Sequence, residues 1–578
     1  MKLTVLALDY DGTITSGDGV DASVRAAIAA VRESGATVLL VTGRILNELR
    51  RVAGDLHFVD GVVAENGAVV YFPDNDHTTV LAPQMPQAFL AELGHRGIPF
   101  QSGHCLVDAH ADDSQRLLDA IRALELPLVP IFNRSRVMIM PQGVSKATGL
   151  HAALDMLRLS PRNTFAIGDA ENDHELLRLA EVGAAVEWGS PALQAAADLV
   201  LAGKGPRAVA EFLAPLAVSR SLPPPARARR RLRLGYLEDG HEFSLAVRGR
   251  NVLIAGDAKS GKSWVAGLLC EQLILHGYCV CVIDPEGDYG SLEALPGVSV
   301  LGGEDPPPTP RQLLRALRYP DRSVIIDLSR LPQDQKIEYA RAVLPSLNEI
   351  RRRTGLPHRI FIDEAHYFLH EADAARLLDF HLNGYTVVTY WASRLPPELL
   401  AATEVMIVTC ESDPTEIDAL WQRCAGCARV DVGVWRSQLG HLPLGQAVVL
   451  PITEEAGGSI RPFIIGRRLT PHVRHREKYV DVPVTEYRSF IFTPDGEGPV
   501  RRARTLREFV CEIERAPAAE LAGYLGRGDF SRWLGEVFGD RALASELREL
   551  EDRCRRGDDG NVIPEIVAAV RGRYDLTG

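Results

Sequence analysis

Over the first 215 residues, short apolar runs alternate with stretches whose apolar residues recur at helical spacing. TVLAL (4–8) is an unbroken apolar run of strand length, and DASVRAAIAAVRESG (21–35) reads as a helix, with Asp21 near its cap and Gly35 just past its end. ATVLLVTGR (36–44) supplies the next strand and its exit turn. This rhythm predicts a parallel sheet covered on both faces, with ligands at the carboxyl ends of its strands. From about 70 to 140 the alternation weakens, which predicts a small inserted α/β cap, and it resumes at FAIGDAEND (165–173). A second α/β region runs from about 236 to 470. Beyond it come a strand, RSFIFTP (488–494), and then helices whose expected core is Phe509, Leu525, Phe530, Trp533, Leu534 and Phe538.

Composition narrows this picture. A chain of 578 residues exceeds what one core of roughly 250–300 residues can organise, so several domains are expected. The 46% hydrophobic and 24% charged residues are ordinary for a globular protein, and no apolar run reaches the length of a membrane span. The N-terminus shows no signal-peptide cleavage pattern, and nine scattered cysteines, several within apolar strands, suit a reducing cytoplasm. A net charge of −12 argues against an overall electrostatic preference for nucleic acid, though not against a local basic surface. One such stretch is VSRSLPPPARARRRLRL, with three prolines and then five arginines among residues 227–233. It reads as a solvated linker or as a surface for polyanions.

Two constellations carry chemistry. In LALDYDGT a buried-looking strand ends in Asp9 and Asp11, with glycine and threonine behind them. Such an arrangement can bind a divalent cation, present one carboxylate to a phosphate ester, and use the second acid to protonate the leaving alcohol. Thr42 and Gly43 end the next strand, where a hydroxyl and an N–H can hold phosphate oxygens. Lys146 offers an ammonium at the start of a helix, and Asp169 and Asp173 can complete a metal shell. DYDGT, VTGR, the isolated lysine and GDAEND together resemble the haloacid dehalogenase superfamily over about 1–213. The resemblance implies that Asp9 forms an aspartyl-phosphate, Asp11 is the general acid/base, and Thr42 and Lys146 hold the phosphoryl group. It also implies Mg²⁺ on Asp9, Asp11 (through its carbonyl) and Asp169, with Asp173 placing Lys146 or the metal's water and Asn172 near the phosphate. ENGA (65–68) and the cap position look like the Cof-type subgroup of sugar-phosphate and phosphoglycolate phosphatases. A departure stands at Trp188-Gly189, where the subgroup usually has Asn-Ala.

The second constellation is RNVLIAGDAKSGKSWVAGLLCEQL (250–273): a strand, a loop of the form G-x-x-x-x-G-K-[ST], and a helix. Gly256, Ser260 and Gly261 shape a loop whose N–H groups wrap phosphates, Lys262 reaches the β/γ oxygens of ATP, and Ser263 ligates Mg²⁺. HRIFIDEAHYFL (358–369) ends a strand in Asp363, suited to the Mg²⁺ shell, and Glu364, suited to polarising water. With DPEGDY and VVTYWASRLPPEL (387–399), these motifs resemble the HerA/FtsK class of additional-strand P-loop ATPases over about 236–470. That resemblance implies a hexameric homo-oligomer hydrolysing ATP at subunit junctions, often on DNA. The class's sensor glutamine aligns with Arg394, and its trans-acting arginine is replaced within HLNGY (381–385), so Arg376 and Arg394 are candidate replacements.

The expected fold class is therefore α/β multidomain. A Rossmann-like phosphatase core occupies 1–215 with its cap at about 72–140, and a Pro/Arg-rich linker covers 216–235. A P-loop ATPase spans 236–470, and a small mainly helical accessory domain fills 471–578. CAGC (424–427) reads as a packing turn or as part of a zinc site, and TPHVRHREKY (470–479) as a connector or a phosphate contact. The leading expectation is a cytoplasmic bifunctional enzyme, a Mg²⁺-dependent phosphomonoesterase of a small phosphorylated substrate joined to a ring-forming ATPase. The alternatives are a nucleic-acid end-processing or DNA-translocating enzyme and a nucleotide-gated sensor or defence scaffold.

Overall fold

A computed structural model describes residues 1–578 apart from 16, 18, 224–228, 247–248, 370–375, 425–431, 451–460, 472–483, 485–488, 494–499, 539–540, 558–561 and 575–578. All of CAGC but Cys424, and most of TPHVRHREKY, lie outside the described residues.

The first sheet contains β1 (Val5–Asp9), β2 (Thr37–Val41), β3 (Gly61–Ala64), β4 (Val69–Phe72) and β5 (His77–Val80). The cap adds β6 (Phe100–Ser102), β7 (Val107–His110), β8 (Leu128–Asn133) and β9 (Arg136–Pro141). The core then resumes with β10 (Thr164–Gly168), β11 (Val182–Val186) and β12 (Leu199–Leu201). The core order is β12-β11-β10-β1-β2-β3-β4-β5, parallel as far as β3, so β1 is central and every one of its residues is buried. Asp21 caps the helix Ala22–Glu33 by accepting the Ser23 N–H, as the sequence leads one to expect. The cap is a separate antiparallel sheet, β6-β7-β9-β8, backed by helices Gln87–His95 and Ser114–Ala123. His77–Val80, inside the stretch expected to form the cap, is instead an edge strand of the core sheet.

The second sheet contains β13 (Leu232–Leu237), β14 (Glu242–Leu245), β15 (Val252–Ala255), β16 (Val280–Asp284), β17 (Val298–Gly302), β18 (Ser323–Asp327), β19 (Arg359–Ile362), β20 (Tyr385–Thr389), β21 (Val405–Val408), β22 (Gln446–Val449) and β23 (Arg461–Ile465). Its order is β14-β13-β23-β22-β21-β15-β20-β19-β16-β18-β17, parallel from β21 to β17. One strand, β20, separates the phosphate-loop strand β15 from β19, which ends in Asp363-Glu364. The C-terminal unit pairs β24 (Phe490–Phe492) with β25 (Arg501–Ala503) and packs helices around Phe490, Phe509, Phe530 and Trp533. The six expected core residues of this unit are all buried.

The two large sheets meet at the edges where their strands begin. Tyr278, just before β16, donates its hydroxyl to Glu181, just before β11, at 2.8 Å. Lys2 donates to the carbonyls of Arg352 and Arg353 at the end of the helix Gln333–Thr354. The arginine run joins the same seam: Arg229 pairs with Asp198, Arg230 with Glu181, and Arg231 donates to Ser244. Arg229 and Arg230 are thus committed to intramolecular contacts rather than to solvent, while Arg231 is exposed. Both carboxyl edges face away from the seam. Among the described residues no helix is long and apolar enough to cross a membrane.

Candidate active sites

At the carboxyl end of β1, Lys146 places its ammonium 2.6 Å from Asp9 Oδ1 and 2.7 Å from Asp173 Oδ1, with all three side chains buried. The helix that begins at Lys146 is set by a capping box in which Ser145 accepts the Thr148 N–H. Asp173 Oδ2 accepts the N–H groups of Asp169 (3.0 Å) and Ala170 (3.1 Å), closing the turn after β10. Asp9, Asp169 and Asp173 each offer an oxygen, all within 4.8 Å of one another. Burial and then the Asp173 charge push Asp9 well above the usual carboxylate range, against the pull of Lys146. Asp169 is pushed up to about 6 by burial and by Asp173, with Arg134 opposing. Burial works against the Lys146 ammonium, but Asp173 and Asp9 outweigh it and raise its pKa.

This cluster fits a divalent cation. Asp9 Oδ2 is buried with no hydrogen-bond partner among the described residues, and three buried carboxylates face one buried ammonium and the exposed Arg134 guanidinium. Such a surplus of buried negative charge is costly unless a cation compensates it. Asp11, two places further on, turns its carboxylate to Arg44, which grips it through Nε (2.8 and 3.0 Å) and a terminal nitrogen (2.7 Å). Thr42 is fully buried and its hydroxyl oxygen accepts the Arg44 N–H at 3.1 Å. Gly43 lies under Asn172 and the cap residue Met138, so a side chain there would fill the space beside the site. Asn172 donates to Asn66 at 3.2 Å.

Three contacts were not legible beforehand. Arg134, in the β8–β9 turn of the cap, pairs with Asp169. Arg44, visible only as the last letter of VTGR, clamps Asp11. Trp188, the departure noted above, donates its indole N–H to the Gly12 carbonyl at 2.7 Å and so braces the turn after Asp9. All three line one cavity of about 710 Å³ with Asp11, Asp169 and Glu171.

In the second sheet, Gly256 has φ +144° and a Cβ there would strike the Thr409 hydroxyl, while Gly261 has φ +107°. Only glycine takes these shapes without strain, and they bend the loop GDAKSGKS into the start of the helix Lys262–Leu275. Ser260 donates to the Asp257 carbonyl at 2.7 Å, and buried Lys262 folds back onto the same carbonyl at 2.8 Å. Ser263 sits half-buried in the helix's first turn. Asp363 is buried at the end of β19, and Glu364 follows it at φ +44°, its carboxylate 3.7 Å from His366 Nδ1. Asp284, in DPEGDY, accepts the N–H groups of residues 286–289 and is pushed up to about 7 by burial and Asp288. The Arg394 guanidinium carbon lies over the Trp391 ring, 3.8 Å from its centre, and Arg376 is exposed in a separate turn.

The first sheet and its buried carboxylate–ammonium cluster define a phosphate-hydrolysing α/β protein of the nucleophilic-aspartate kind. The chain belongs to the haloacid dehalogenase-like hydrolases, whose family profile matches residues 6–95 and 100–213. A phosphoglycolate phosphatase of Natronomonas pharaonis is 32% identical over 206 residues, covering 34% of this chain and 89% of that protein. Another, of Methanothermobacter thermautotrophicus, is 30% identical over 221 residues, 36% of this chain and 96% of that protein. A solved haloacid dehalogenase-like hydrolase from Bacteroides thetaiotaomicron is 17% identical, covers 37% of this chain and all of its own, and has a TM-score of 0.31. Residues 233–306 match the central domain of the helicase HerA. The chain thus fuses a haloacid dehalogenase hydrolase to a HerA-type ATPase domain, and its aspartate cluster and phosphate loop suit Mg²⁺ and ATP.

Proposed function

We propose that this chain is a bifunctional hydrolase in which residues 1–215 cleave a small phosphomonoester, residues 236–470 hydrolyse ATP, and residues 471–578 are an accessory unit. The observation that supports the first half most is the buried Lys146 ammonium held between Asp9 and Asp173, beside an Asp9 oxygen with no hydrogen-bond partner among the described residues. Asp9 attacks phosphorus, forming an acyl-phosphate bond as the ester P–O bond breaks. The departing alkoxide takes the proton of Asp11. Asp11 then removes a proton from water, whose oxygen attacks phosphorus and releases Asp9 and phosphate. Arg44 orients Asp11 for both transfers. Thr42 and Lys146 hold the phosphoryl oxygens, and Lys146 also favours the ionised form of the nucleophile. Asp9, Asp169 and the Asp11 carbonyl would hold Mg²⁺, which supplies charge neutralisation for the phosphate dianion.

In the second half, Gly256, Ser260 and Gly261 shape the phosphate cradle and Lys262 swings from Asp257 to the β/γ oxygens. Ser263 and Asp363 would hold Mg²⁺, and Glu364 accepts the proton of the attacking water. A ring-forming assembly is the finer part of this reading, and the match to the HerA central domain supports it. ATP-bound full-length protein that stays monomeric in mass measurements would remove that part.

The test compares wild type with Asp9→Asn and Lys262→Ala across a panel of phosphoesters and ATP. Asp9→Asn should lose phosphomonoester turnover alone and Lys262→Ala ATP turnover alone. A wild type that releases phosphate from no monoester in the panel refutes the phosphatase half.

A further inference from the structure

The turn that follows Asp363 and Glu364 carries a further residue, His366, which the hydrolysis step described above leaves unused. Glu364 takes φ +44°, a left-handed shape uncommon for a glutamate, and its carbonyl accepts the Tyr367 N–H at 2.9 Å. The turn Ala365–Tyr367 therefore doubles back, and the buried His366 ring lies beside the Glu364 carboxylate, with Nδ1 3.7 Å from Oε2. The same nitrogen lies 3.1 Å from the hydroxyl of Thr389, the last residue of β20. Thr389 is fully buried and its hydroxyl oxygen accepts the Trp391 N–H at 2.9 Å, which fixes that oxygen in place.

Three rings meet the imidazole edge-on, with centroids at 4.2 Å (Tyr390), 4.5 Å (Tyr367) and 5.2 Å (Trp391). This collar stands at the phosphate loop, since the Lys262 ammonium lies 5.8 Å from the Tyr390 ring centre. The collar sets the plane of the imidazole and Thr389 sets its rotation. A carboxylate base works only while one of its oxygens faces the water, and a misplacement of about 1 Å can cost 10²-fold. The 3.7 Å between Nδ1 and Oε2 is longer than a hydrogen bond, and a shift of less than about 1 Å closes it to one. Catalytic hydrogen bonds tighten in this way when substrate arrives.

We propose that His366 is a positioning residue of the ATPase site: Thr389 and the three rings hold its imidazole so that Nδ1–H donates to Glu364 Oε2 and turns Oε1 toward the attacking water. The inference rests on the ATPase reading above. In the step it serves, Oε1 takes the water's proton as the water oxygen bonds to the γ-phosphorus. The bond from the γ-phosphorus to the bridging oxygen breaks and its electron pair goes to ADP. The imidazole keeps its own proton throughout. If His366 merely filled space among the rings, its ring would matter and its nitrogen would not.

The experiment uses the full-length chain, measuring ATP turnover and ATP affinity for wild type, His366→Phe, His366→Asn, Glu364→Gln, Lys262→Ala and the double variant Glu364→Gln with His366→Phe. His366→Phe keeps a ring in the collar and loses the nitrogen. It should cut turnover by roughly 10²-fold while affinity stays within about twofold. His366→Asn loses the ring but carries an amide N–H near the place of Nδ1, so it should stay within about tenfold of wild type. The double variant should be no slower than Glu364→Gln, because His366 acts through that carboxylate. A His366→Phe as fast as wild type would overturn the proposal, and so would a His366→Asn no faster than His366→Phe. A double variant slower than Glu364→Gln by the full His366→Phe factor would do the same, as would a loss of affinity that accounts for the whole effect. A wild type no faster than Lys262→Ala overturns the ATPase reading itself, an outcome distinct from these.

Discussion

His358 sits just before β19 at the seam between the two sheets, and its Nδ1 accepts the Cys279 N–H at 2.7 Å. Tyr278 packs edge-on against it, and burial, followed by the charges of Arg162, Arg351 and the N-terminus, pushes its pKa from 6.5 down to about 3. The folded chain therefore refuses a proton that the unfolded chain accepts below about pH 6.5. Stability contributed at neutral pH is lost as pH falls from 6.5 toward 3, by about 1.4 kcal/mol per unit. Between pH 7.5 and pH 5, wild type should lose more unfolding free energy than His358→Asn, whose amide oxygen can still accept the Cys279 N–H. Equal losses would count against the assignment. The same scale separates the two acids of LALDYDGT: Asp9 faces Lys146, and Asp11 faces Arg44. Their spacing made both acids visible as candidates, but Arg44 became visible only when β2 lay beside β1.

The helix Lys146–Leu157 reaches the site because another element lets it come close. The turn Glu65–Gly67 runs through three positive φ values, of which Gly67 at +108° is the largest. A Cβ on Gly67 would stand 1.9 Å from the Ser145 carbonyl oxygen, and one on Gly149 would strike Gly67 in return. Gly67→Ala should push the helix start outward and draw Lys146 from Asp9. Phosphomonoester turnover should fall at least 100-fold while ATP turnover is unchanged, with about 1–3 kcal/mol lost from the first sheet's stability. Kinetics on both substrates and urea unfolding check it, and a fully active variant would show that the close approach is dispensable. Buried Glu65 adds a second link, since its two oxygens accept the His104 and Cys105 N–H groups at 3.0 and 2.9 Å and so tie this turn to the cap's base. In the sequence ENGA marked only a subgroup. The reason for its glycine lies eighty residues away in the helix it touches, which no local pattern reveals.

At the scale of the whole molecule, the strand starts of both sheets press together around buried Glu181, whose carboxylate meets Tyr278, Arg162 and Arg230. The two phosphate sites consequently lie on the edges opposite this seam. Glu181→Gln would leave two part-buried arginines without their countercharge, a change that costs about 3–5 kcal/mol in comparable buried pairs. Calorimetry should show the halves unfolding together in wild type and separately in the variant, and an unaltered single transition would contradict this role. The sequence by itself determined the two chemistries, because nucleophile, loop and catalytic acids belong to short segments whose residue types and spacing are dictated by phosphate, metal and turn geometry. It also determined the α/β rhythm and the helical core of the last hundred residues, through apolar periodicity. Tertiary structure alone decided what joins them: that Arg229 and Arg230 are pinned into a seam, that Arg134 and Trp188 line the phosphatase cavity, and that Phe538 of the C-terminal unit meets Lys259 of the phosphate loop. Those are contacts between residues tens to hundreds of positions apart, set by how sheets pack and which edges face each other, and periodicity along one chain carries no record of them.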